Sequence, residues 1–142
     1  IIRELRIQEQ NFMKNPLLDK YDSVNVLDGE LQPCSFDPMT GFFRDGCCNT
    51  NALDVGSHTV CTYLTEEFLA FSKKQGNDLT TPKPEFGFEG LNPGDKWCLC
   101  ATRWLEAENE GCAPKVSLAS THKSALDIIP IELLKKNALD MN

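Results

Sequence analysis

Between Asp28 and Ser57 the chain carries Asp28-Gly29, Asp37-Pro38, Thr40-Gly41, Asp45-Gly46 and Asn49-Thr50-Asn51. Turn formers at that density exclude a helix or strand of ordinary length, because glycine, proline, asparagine and aspartate each favour turn conformations. Irregular segments this long are uncommon inside a compact domain and often carry function. The polar residues Asp37, Arg44, Asp45 and Asp54 lie in this segment. They can build an acid–base site, or they can hold a long loop together through side-chain to backbone hydrogen bonds.

Regular elements must therefore come from the flanks. Ser23–Leu27 alternates, with Val24 and Val26 on one side, and reads as a strand. His58–Leu64 reads as another. Thr65 is placed to cap a helix over about Glu66–Gln75, with Glu66 and Glu67 in its first turn, Lys73 and Lys74 in its last, and Gly76 beyond. Asn77 to Asp95 is a second connection rich in proline and glycine. Lys96–Cys100 reads as a strand running almost directly into a helix over Thr102–Glu110, stopped by Gly111. Val116–Ser120 is a further strand, Thr121 caps a short helix reaching Leu126, and Pro130 suits the first turn of a last helix. This order predicts a two-layer α+β fold: a small sheet of short strands, helices packed on one face, and long cysteine-rich loops.

A length of 142 residues favours a single domain, assigned here to 22–142. Residues 1–21 read as an N-terminal extension. Ile1, Ile2, Leu5, Phe12 and Met13 sit at spacings compatible with a short helix, either packed on the domain or offered to a protein partner. The first residue is Ile1, which leaves room for a removed targeting segment. A net charge of −7 and a pI of about 4.8 argue against nucleic acid and against anionic membrane surfaces as partners. No apolar run is long enough to span a bilayer. The phosphate-binding glycine signatures and the G-x-S-x-G elbow are missing.

Seven cysteines and two histidines carry the chemistry. An odd count leaves at least one cysteine outside any intramolecular disulfide. The expectation is free or metal-bound thiols in a reducing compartment, the cytoplasm or an organelle matrix. For a metal, with zinc as the first choice, the candidates are His58, Cys61, Cys98, Cys100 and His122. Cys98 and Cys100 share one face of a strand. His58 and Cys61 suit a tight turn, but point to opposite faces if their segment is extended. For thiol chemistry the candidates are Cys47, Cys48, His58 and Arg44. Arg44 supplies a cation near Cys47, and His58 or His122 can serve as the base of a Cys–His pair. The plain alternative packs Cys47 and Cys48 one outward and one inward in a turn. The site reading requires Cys47, Cys48, Cys61, Cys98 and Cys100 to converge with a histidine. The competing reading is a non-catalytic interaction module, an accessory subunit of a larger assembly using the N-terminal segment.

The motifs themselves resemble a known family. They run from Asn25-Val26-Leu27 through Pro33-Cys34 to the stretch Asp37-Pro38-Met39-Thr40-Gly41-Phe42-Phe43-Arg44-Asp45-Gly46-Cys47-Cys48. Asp54-Val55-Gly56-Ser57-His58-Thr59-Val60-Cys61 follows, then Gly76-Asn77-Asp78-Leu79, Gly94-Asp95-Lys96-Trp97-Cys98-Leu99-Cys100, Arg103-Trp104 and Thr121-His122. The chain is similar to the proteins grouped as domain of unknown function 2237, over residues of about 25 to 140. That resemblance implies a small two-layer α+β domain and no established activity. It places Cys34, Cys47, Cys48, Cys61, Cys98, Cys100, His58 and His122 within matching motifs, and leaves Cys112 outside them.

Overall fold

The computed structural model describes residues 19–141. The helix expected within the first 14 residues lies outside them. Strands β1 (His58–Tyr63), β2 (Lys96–Cys100) and β3 (Lys115–Val116) form one antiparallel sheet in the order β2-β1-β3. Helices α1 (Glu66–Lys74), α2 (Ala101–Asn109) and α3 (Ile131–Lys136) and two short 3-10 turns, Pro84–Phe86 and Lys123–Asp127, complete the regular structure. This is the expected α+β architecture. No helix among the described residues is long and apolar enough to cross a membrane.

Side chains alternate across a strand, so the register sorts the sheet into two faces. Val60 lies opposite Leu99, Thr62 opposite Trp97, and Cys61 opposite Cys98. Val60, Leu99 and Trp97 join the apolar core with Phe68 and Leu69 of α1, Trp104 and Ala107 of α2, and Leu134 of α3. Cys61 and Cys98 instead form a separate buried cluster with Cys34 and Cys48 from the loop. One face is thus covered by helices and the other by the turn-rich segment.

The helical signals act locally. Thr65 Oγ1 accepts the N–H of Phe68 at 3.0 Å and caps α1. The acidic and basic residues sit at the ends that the helix dipole favours. Helix α2 has no side-chain cap. Tertiary packing fixes it: Trp104 is fully buried, and its indole N–H donates to the Pro114 carbonyl at 3.0 Å.

Two expected strands are shortened. Ser23–Leu27 forms only isolated bridges, Val24 with Glu30 and Asn25 with His122. The Asn25 side chain accepts the N–H groups of Leu27 and Gly29, which turns the chain back at once. Strand β3 stops at Val116 because the Asp140 carboxylate captures the N–H groups of Leu118 and Ala119. The cap of the Lys123–Asp127 turn is His122 rather than Thr121.

Residues 28–57 have no ladder of their own, so side chains do that work. Thr40 Oγ1 accepts the Cys98 N–H at 2.8 Å and fastens the loop to β2. The Asp45 carboxylate accepts from Cys47 N–H at 3.1 Å and Asn49 Nδ2 at 2.9 Å. Gly41 sits at φ 100, and a Cβ there would collide with the Cys47 carbonyl oxygen. Among the described residues no buried side-chain nitrogen or oxygen lacks a hydrogen-bond partner.

Candidate functional site

The loop enters β1 through Asp54-Val55-Gly56-Ser57-His58. The Asp54 side chain is 0% exposed and that of His58 43%, so a buried carboxylate holds an imidazole at the surface. Asp54 Oδ1 lies 2.6 Å from His58 Nδ1. Its Oδ2 accepts the His58 backbone N–H at 2.9 Å and the Thr50 hydroxyl at 2.8 Å. Gly56 packs so closely on the ring that a Cβ would strike it. Phe42 lies on the ring with centroids 6.4 Å apart. Ser57 adopts φ 48, a left-handed conformation that non-glycine residues rarely take and that clusters at functional sites.

Opposite His58 in the register stands Cys100, across a bulge between His58 and Val60. Cys100 is also the N-cap residue of α2, because β2 passes into that helix without a loop. Its Sγ lies 3.1 Å from the Thr102 hydroxyl, and the Ala101 N–H donates to the Ser57 carbonyl at 2.9 Å, which ties the junction to β1. His58 and Cys100 line a groove of about 540 Å³ together with Phe42, Arg44, Trp97 and Arg103. The Arg44 guanidinium lies over the Trp97 ring, 5.1 Å from its centroid.

The sulfur atoms do not converge in one place. Cys34 is bonded to Cys61 and Cys48 to Cys98, with Cα separations of 5.7 and 5.3 Å. The expectation of free or metal-bound thiols therefore gives way for these four. Strand register brings Cys61 beside Cys98, and the loop brings a partner to each. The sulfurs of Cys34, Cys48 and Cys61 all lie within 4.8 Å of one another. Among the metal candidates, Cys61 and Cys98 thus share this cluster, while His58 and Cys100 belong to the groove.

Three cysteines are free: Cys47, Cys100 and Cys112. Cys47 turns outward while its neighbour Cys48 is fully buried. Burial, and then the Asp45 carboxylate, push the Cys47 thiol pKa up, against a smaller opposing effect of Lys20. Burial, Glu67 and Glu110 push that of Cys112 up. Both shifts favour the thiol over the thiolate. His122 is engaged at both ring nitrogens: Nε2 lies 2.9 Å from the Asp22 carbonyl and Nδ1 accepts the Ser124 N–H at 3.0 Å. Since the carbonyl can only accept, Nε2 carries the proton. Burial pushes the His122 pKa down, in opposition to that hydrogen bond, and favours the neutral ring.

Sequence reading offered His58 and Arg44 as thiol-chemistry candidates, and offered Cys100 as a metal ligand and as one of the five cysteines expected to converge; His58, Arg44 and Cys100 line one groove. That reading also weighed Asp54 only as one of several loop carboxylates. The contribution of Phe42, Trp97 and Arg103 to a groove was missed, because aromatic residues in such a chain read as core. The available signals were Asp54 four residues before His58, and a cysteine at a strand–helix junction.

No curated protein matches the chain. A family described as "Uncharacterized protein conserved in bacteria (DUF2237)" matches residues 24–138, a span that holds the whole sheet, both disulfides and the groove. With most of its length covered by that match, the chain belongs to this family.

Proposed function

We propose that Cys100 is the nucleophile of a thiol-reactive site, with His58 as its base and Asp54 as the residue that orients His58. One observation carries the reading: the 2.6 Å contact between His58 Nδ1 and the fully buried Asp54 carboxylate, made by the residue paired with Cys100 across the sheet. A carboxylate only accepts, so Nδ1 holds a proton, and in the neutral ring the lone pair is then on Nε2. In its neutral form a ring so oriented, lining the same groove as Cys100, can take the thiol proton once a rotation of the Cys100 side chain away from Thr102 brings sulfur within its reach, which would give the roles of nucleophile, base and orienting group used in covalent catalysis. The start of α2 adds the positive end of a helix dipole, favourable to negative charge developing on a bound reactant. The other two free thiols, with raised pKa values, are poorer competitors.

Alkylation of the oxidised full chain with iodoacetamide, mapped by peptide mass spectrometry, tests this. Sulfur displaces iodide, forming a C–S bond as C–I breaks, and the thiol proton leaves on His58. Cys100 is expected to react at least about tenfold faster than Cys47 or Cys112 at neutral pH, because it alone of the three shares a groove with an imidazole base. His58→Ala is expected to slow Cys100 roughly a hundredfold, the lower end of what a general base contributes. Reaction at Cys47 or Cys112 as fast as at Cys100 would remove the proposal.

A second reading concerns the other sulfurs, and the contact of Cys34, Cys48 and Cys61 within 4.8 Å favours it. If a dithiol reductant opens both disulfides, four thiols remain together, and four thiolates are a set that zinc takes tetrahedrally. Reduced protein dialysed against zinc and washed with a weak chelator is expected to keep one zinc per chain. Zinc-free protein after the wash leaves these sulfurs as crosslinks alone.

A further inference from the structure

The chain as a whole is acidic, at −7, yet the groove beside Cys100 reverses that sign. Arg44, Lys83 and Arg103 line it against a single carboxylate, Asp78. Asp78 is occupied by its own turn: it accepts the backbone N–H and the hydroxyl of both Thr80 and Thr81, at 2.5–3.2 Å. Arg103 is partly neutralised by Glu106 at 3.5 Å. Among the described residues neither Arg44 nor Lys83 has a carboxylate within 4.0 Å.

Arg44 is also placed rather than loose. It adopts φ 53, its Nη1 donates to the Gly41 carbonyl at 2.7 Å, and its guanidinium rests on Trp97. A guanidinium so held keeps donors for a planar anion while its π-face contact fixes its position. The wall also carries the apolar side chains of Phe42, Leu79, Phe88 and Leu99, with Asn77 as a further polar residue. Pockets of this kind bind by apolar contact and orient by a few polar groups.

We infer that the groove takes a compact anion with an apolar body, a carboxylate-bearing electrophile whose charge rests on Arg44 and Lys83 and whose reactive carbon meets Cys100 Sγ. This rests on Cys100 as the nucleophile. Attack forms the bond from sulfur to that carbon and expels a leaving group with its electron pair, while His58 takes the thiol proton.

Two probes of nearly equal size separate charge from reactivity. The rates of Cys100 with anionic iodoacetate and neutral iodoacetamide are measured on the full chain, and their ratio is compared with that of a small free thiol. The ratio on the protein is expected to exceed the free-thiol ratio by about tenfold, the effect of one hydrogen bond to a charged group. Lys83→Gln and Arg44→Gln are each expected to lower it, and added salt to lower it further, since exposed charges are screened. Arg44 is built into its loop, so the exposed Lys83 variant keeps the test decisive. Fast reaction at Cys100 with the free-thiol ratio would overturn the anion preference and leave the nucleophile standing. So would variants that slow both probes equally. Slow reaction with both probes, no faster than at Cys47 and Cys112, would remove the nucleophile itself.

Discussion

The helix-covered and loop-covered faces of the sheet are buried by different means. On one, Val60 and Leu99 meet Phe68, Leu69 and Trp104, carried by helices that satisfy their own backbone. On the other, Cys61 and Cys98 meet a segment with no element of its own, held by two disulfides and by bonds such as Thr40 to Cys98. Helices need only apolar area to dock, at about 1.5–3 kcal/mol for each fully buried large side chain. A turn-rich loop loses backbone entropy without a ladder in return, about 1–2 kcal/mol per ordered residue. Covalent closure offsets part of that loss. In the chain-entropy account, bridges with sequence separations of 27 and 50 contribute about 3.5 and 4 kcal/mol. The contrast shows where the chain relies on packing and where on crosslinks.

The largest expected effect challenges the helical face. Trp104→Ala removes a fully buried ring and the bond from its indole N–H to Pro114. It is expected to cost about 3–5 kcal/mol in urea unfolding. A loss below about 1 kcal/mol would mean that hydrocarbon packing is not what holds that side.

Next, Cys34→Ala combined with Cys61→Ala removes the shorter crosslink and is expected to cost about 3.5 kcal/mol. Hydrogen exchange should then quicken at amides of residues 28–57 before those of α1. Equal acceleration throughout would dissolve the distinction between the faces. A smaller effect sharpens it from the other side. Thr65→Ala removes the cap of α1 and should cost about 1 kcal/mol, leaving exchange in the loop unaltered.

The smallest effect is a pH dependence from His122, which joins the two regions through its backbone bond to Thr59. Its folded-state pKa lies below the ordinary 6.5, so the unfolded chain binds that proton first. Its contribution is fully present above pH 6.5 and is lost as pH falls from there through the lower folded-state value. The slope stays under about 1.4 kcal/mol per pH unit, one proton's worth. Urea midpoints followed downward from about pH 7.5 should show it, and His122→Asn should flatten that part of the curve.

Much of the fold was readable because its signals are short-range. Thr65, the paired glutamates and lysines and Gly76 mark α1 within a dozen residues, and Gly111 marks the end of α2. The shortened strands were not readable, because Asp140 ends β3 from far along the chain and Asn25 folds its segment back through its own side chain. The chemistry divides likewise. His58 and the loop carboxylates stood out, but facing His58 with Cys100 requires the register of two strands separated by a helix and a long connection. The disulfide partners depend on the same register, which cysteine spacing alone does not encode.

The Asp54 turn has a further consequence. One carboxylate receives both the main chain where it enters β1 and the imidazole beside it. Aiming the ring and starting the strand therefore depend on the same side chain. A partly opened form that frees this turn would release the ring while the sheet still stood, and under the proposed role of Cys100 its alkylation rate would report damage to the loop early.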